Sequence, residues 1–73
     1  MPPEQAELSS SVESALAQLP DEQREVVVLK IWGGLTFAQI AAALGVNQNT
    51  AASRYRYAIE RLESALAHEV RND

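Results

Sequence analysis

Residues 36–60 read TFAQIAAALGVNQNTAASRYRYAIE. The stretch contains two helix starts and one stop. Thr36 and Gln39 form a T-x-x-Q capping box, in which the hydroxyl and the amide each satisfy a backbone N–H left open at a helix N-terminus. Phe37, Ile40, Ala41 and Leu44 then recur at helical spacing and predict one buried face. Gly45 ends that helix where a left-handed conformation is cheap, and Asn47 is an N-cap for the next. Val46 is the apolar plug between the two helices, and Ala41 is small where they cross. The second helix is expected from about Gln48 to Ala67. A helix, a short turn containing glycine and a second helix are the signature of a helix-turn-helix. An ordinary αα-hairpin in a helical bundle shares the same spacing.

Within the second helix, Ala51, Tyr55, Ala58, Leu62, Ala65 and Leu66 step mostly by three and four, which defines the core face. The other face, near the N-terminal end, carries Gln48, Asn49, Ala52, Ser53, Arg56 and Tyr57. In a helix-turn-helix that end of the second helix enters the major groove. Arginine there can bond guanine bidentately, and Asn or Gln can bond adenine. Thr50, Ser53 and the helix N-terminus suit phosphate oxygens. Arg54 lies between the faces, within reach of either a phosphate or an acid of an earlier helix. Glu60 and Glu63 would repel phosphate, so the contact surface is expected to stop near Tyr57.

Upstream, Ser10 and Glu13 form an S-x-x-E box ahead of Val12, Ala15, Leu16 and Leu19. Pro20 ends this helix or starts the next, and Asp21 and Glu22 suit a helix N-terminus. EVVVLKIW is locally strand-like through its consecutive valines, yet its acidic lead-in and the Gly33-Gly34 stop predict helix. Val27, Val28, Ile31 and Trp32 are nearly consecutive, so they cannot all face one core. Those left outside form a candidate protein-docking surface, while Trp32 also reads as a core anchor. The fold class is therefore all-α, a small four-helix domain with a C-terminal helix-turn-helix. Residues 1–9 are expected to be a flexible segment, 10–68 the domain and 69–73 a frayed tail.

The chain has 73 residues and a formal net charge of −4. The charge is unevenly placed. Residues 1–25 hold six acids against Arg24 alone, and residues 60–73 hold four against Arg61 and Arg71. Between them, residues 26–59 hold no acid and only Lys30, Arg54 and Arg56. Charges beyond about 8–10 Å are screened at cellular salt, so this local field governs contact with a polyanion. There is no cysteine, which excludes disulfides and thiolate metal sites. His68 reads as a solvated helix-end residue, and Ser9-Ser10-Ser11 as capping residues. No metal ligand set or catalytic constellation is present, so neither an enzyme nor a cofactor is expected. The sequence shows neither a signal peptide nor an apolar run of membrane-span length, and a cytoplasmic protein is expected.

Taken together, Leu19-Pro20, Gln23 to Val26, Gly34 to Thr36, Gln39 to Ala41, Leu44-Gly45 and Thr50 to Ala58 resemble region 4 of bacterial RNA polymerase sigma factors, especially the extracytoplasmic-function type. The resemblance covers roughly residues 12–67. It implies a four-helix domain that binds the upstream (−35) element of promoter DNA through its last helix. It also implies docking on the β-flap of RNA polymerase and, in many members, capture by an anti-sigma factor. By position, the implied DNA contacts are Thr50, Ala52, Ser53, Arg54, Arg56 and Tyr57. The chain departs from the family pattern at Gln39, Ala51, Ala52 and Tyr57, where members commonly carry glutamate, valine, a basic residue and arginine. The isolated chain is expected to be a monomer. A LuxR-type regulator output domain, dimeric on a palindrome, shares the four short helices. A protein-interaction module that reads no DNA would use the Val27, Val28, Ile31 and Trp32 surface.

Overall fold

A computed structural model describes residues 11–71. Helix α1 covers residues 11–17, α2 Asp21–Val27, α3 Phe37–Leu44 and α4 Gln48–Arg71, and a π-helical turn over Val28–Trp32 continues α2. The expected all-α architecture with a C-terminal helix-turn-helix is the one observed. Ser10, the cap expected for α1, lies outside the described residues. The helix α4 continues to Arg71, beyond the expected end at Ala67. No helix among the described residues is long and apolar enough to cross a membrane.

Each junction has a local cause. Helix α1 closes with Gln18 and Leu19 donating to the carbonyls of Ala15 and Leu16. Pro20 caps α2 with φ −55° and ψ 147°, and its carbonyl accepts from both Gln23 and Arg24. Asp21 and Glu22 occupy the first turn, where the helix dipole favours acids. After Val27 the ladder widens: Gly33 N–H donates to Val28 O at 3.0 Å, five residues back, and Leu35 N–H to Leu29 O at 3.2 Å. Gly33 permits this closure, since a Cβ there would lie 2.6 Å from Leu29 O. The helix expected over this stretch is thus α and then π, a difference that arises from hydrogen-bond register and leaves apolar content unchanged.

Lys30 folds back over the next helix. Its Nζ donates to Leu35 O at 3.3 Å and sits 4.5 Å from the centre of the Phe37 ring. Thr36 and Gln39 complete the capping box in both directions. Gly45 adopts φ 72°, and Val46 N–H donates to Ala41 O at 3.0 Å, so the helix ends in a left-handed cap whose following residue turns inward.

Two apolar clusters meet on α4. Val26, Ile40, Ala41 and Ala51 form one, with Leu29, Leu35, Phe37, Leu44, Val46 and Tyr55 packed around it. Leu19, Val27 and Ala58 form the other, with Leu16, Tyr55 and Leu62. Tyr55 belongs to both, and its ring meets Phe37 edge-on at 5.4 Å. Ala51 and Ala58 are fully buried, which brings the α4 backbone close to its neighbours. Ala58→Leu should therefore cost about 1–3 kcal/mol through overpacking, checked by urea unfolding followed by circular dichroism.

Candidate nucleic-acid interface

The turn between α3 and α4 fixes where α4 begins. Asn47 Oδ1 accepts from Thr50 N–H at 2.7 Å, and Ala51 N–H donates to Asn47 O at 3.1 Å. This is the expected cap, and it orients the first turn of α4 before any side chain meets a ligand. The buried line Ala51, Tyr55, Ala58 and Leu62 turns the opposite side of α4 outward.

The predicted contact residues do not form one uniform face. At 3.6 residues per turn, Asn49, Ser53 and Arg56 fall within about 60° of arc, opposite the buried line. Asn49 and Arg56 are exposed, and Ser53 is half-buried. Gln48 and Tyr57 are exposed on either flank of this stripe. Ala52 is half-buried and offers only a methyl group. Thr50 is half-buried, and its N–H is taken by the Asn47 cap. Arg56 lies with Cζ 5.1 Å from the centre of the Tyr57 ring. An exposed cation–π contact of this kind contributes about 0.5–1 kcal/mol. It restrains the guanidinium without covering its donors.

Arg54 is turned to the α2 side. Its Nη2 stands 3.7 Å from Glu22 Oε2, an acid of an earlier helix of the kind expected beside it. Lys30, the third base of the acid-free stretch, is held against Leu35 and Phe37. The freely presented cation of this region is thus Arg56. Glu60 and Glu63 are exposed one and two turns farther on.

The second candidate surface needs one correction. Val27, expected among the docking residues, is fully buried and packs with Leu19 and Ala58, because α2 presents it directly to α4. Val28, Ile31 and Trp32 are 41%, 51% and 59% exposed. Trp32 is therefore no core anchor. The π turn carries it and Ile31 to the outside. Sequence reading foresaw an acid of an earlier helix beside Arg54 without naming it, and that acid is Glu22. It missed the groove bordered by Arg24, Glu25, Val28, Leu29, Ala43 and Leu44, which adjoins this apolar surface. Its walls come from α2 with its π turn and from α3, a pairing that no local pattern announces.

Comparison with known proteins places this geometry. The family profile described as "Sigma-70, region 4" matches residues 9–62. The ECF RNA polymerase sigma factor SigL of Mycobacterium tuberculosis (strain H37Rv) is 40% identical over 55 residues, covering 75% of this chain and 31% of that protein. The ECF RNA polymerase sigma factor SigK of Mycobacterium ulcerans is 38% identical over 55 residues, covering 75% of this chain and 29% of that protein. The chain thus spans less than a third of the length of these curated relatives. Asn47→Ala should lower stability by about 1 kcal/mol, read from thermal unfolding, because it opens the first turn of α4.

Proposed function

Since the chain belongs to the sigma-70 region 4 family, we propose that it is a DNA-binding module of transcription initiation that recognises the −35 promoter element within an RNA polymerase holoenzyme. The family is one of non-enzymatic DNA-binding domains. The observation that carries the reading is the outward stripe of α4: Asn49, Ser53 and Arg56 project from a helix capped by Asn47, within a stretch that holds no acid. The helix would enter the major groove, with Arg56 reading a base edge and Ser53 and Thr50 meeting phosphates. Gln48, Asn49, Ala52, Arg54 and Tyr57 complete the contact surface, with Arg54 directed to a phosphate. The work of the domain takes place in the cytoplasm, with the isolated chain a monomer. A stable dimer by sedimentation would favour the LuxR-type reading instead.

Few phosphates can be neutralised by so few bases. With about two to four contacts, the slope of log affinity against log salt would be about −2 to −4. Binding by the free domain is then weak, and docking on polymerase supplies the missing affinity through effective concentration. Val28, Ile31 and Trp32 suit that docking, with the polymerase β-flap as the receiving surface and an anti-sigma factor as its competitor. Their exposure supports this assignment, since an apolar group of this kind outside a core marks an interaction site.

Duplex binding, its salt dependence and capture by polymerase test the reading. Selection of bound sites from a random duplex pool, followed by fluorescence anisotropy, should give a preferred sequence for which Arg56→Ala loses about tenfold in affinity. A salt slope near zero for every duplex would sink it. Ala52→Arg should strengthen binding to all duplexes at low salt, and an unchanged affinity would mean that this face does not meet DNA. Ile31→Asp should abolish capture by a β-flap fragment while circular dichroism stays native. Val27→Asp, by contrast, should unfold the domain, since it buries a carboxylate with no partner.

A further inference from the structure

Arg54 differs from the other arginine of the acid-free stretch. Its side chain is 27% exposed, and Glu22, 72% exposed, is its ion-pair partner at 3.7 Å. That separation is too long for a hydrogen bond, and among the described residues no hydrogen bond involves the Arg54 guanidinium. A guanidinium carries five N–H donors and stays charged at any relevant pH, so a largely covered one with unfilled donors favours an anion. Glu22 holds it only loosely. Asp21, the other acid in the first turn of α2, is already paired with Arg24.

Position adds a second argument. Arg54 lies about 100° round α4 from Ser53 and about 40° from the buried Ala58, at the edge of the core face beside α2. A groove-inserted helix meets base edges with its outward stripe, and its flanks face the phosphate walls. A carboxylate near a flank arginine thus occupies the side from which a phosphate would approach.

We propose that Glu22 competes with a DNA phosphate for Arg54, so that the start of α2 sets how much of the positive charge of α4 reaches the duplex. This rests on α4 being the DNA-binding helix. The pair withholds the contact in part: the carboxylate keeps Arg54 from the duplex in the unaltered chain, and its removal frees the arginine for a phosphate. Asp21 does not take over, because Arg24 neutralises it.

The test is a double-mutant cycle on the whole chain, read by anisotropy with a labelled random-sequence duplex between about 50 and 200 mM salt. Glu22→Gln should tighten binding about two- to fivefold, the range that corresponds to a surface ion pair. It should also steepen the log–log salt slope by about 0.9, one added phosphate contact. In an Arg54→Gln background, which keeps part of the packed stem, both effects should vanish. Equal gains in the two backgrounds would show a general charge effect and overturn the proposal, as would weaker binding by Glu22→Gln. Failure of the DNA-binding reading looks different: the unaltered chain then binds no duplex at the lowest salt, and the proposal falls with it.

Discussion

The closeness of α4 to the rest of the domain is the constraint on which everything else depends. Ala51 and Ala58 stand two turns apart and are both fully buried, with Tyr55 between them touching both apolar clusters. Any larger side chain at either alanine would push α4 outward. Its pivot is Tyr55, whose ring meets Phe37 of α3 and whose cluster membership reaches to Leu19 and Val27. The core is small. Val26, Val27 and Ile40 are its largest fully buried side chains, each contributing about 1.5–3 kcal/mol of burial free energy. A domain of this size keeps little reserve, so the caps at Thr36 and Asn47 carry weight that they would not have in a larger protein.

The same constraint decides what faces outward. With Ala51, Tyr55 and Ala58 inward, Asn49, Ser53 and Arg56 have no alternative but solvent or a ligand. The acid-free interval from 26 to 59 gives that stripe a favourable field, although the chain as a whole is acidic. Along the π turn, Val28, Ile31 and Trp32 are likewise exposed. The two surfaces lie on different elements, one on α4 and one on the π turn after α2.

Much of the helix-turn-helix was legible because its signals are local. A capping box, a left-handed glycine and an asparagine cap each act within four residues, and they fell where the pattern put them. The core stripe of α4 was readable from spacing alone. What was not legible depended on tertiary placement. Three consecutive valines divide between two clusters and solvent, and no local rule assigns Val27 inward and Val28 outward. The step from i+4 to i+5 bonding after Val27 leaves no mark in composition. Which acid stands beside Arg54 was open until α2 was placed beside α4. Trp32 looked like a core anchor by size, and the π turn overrides that preference.

Lys30 has a consequence for how the domain would find a site. The Leu35 carbonyl and the Phe37 ring are neutral, so they fix the Lys30 ammonium in place without cancelling its charge, whereas Glu22 offsets the charge of Arg54. Sliding along DNA needs a sequence-independent hold on the phosphates. On the proposed reading the three bases of residues 26–59 would supply only a weak one. The domain would then gain little from scanning on its own and would sample DNA where a larger assembly brings it.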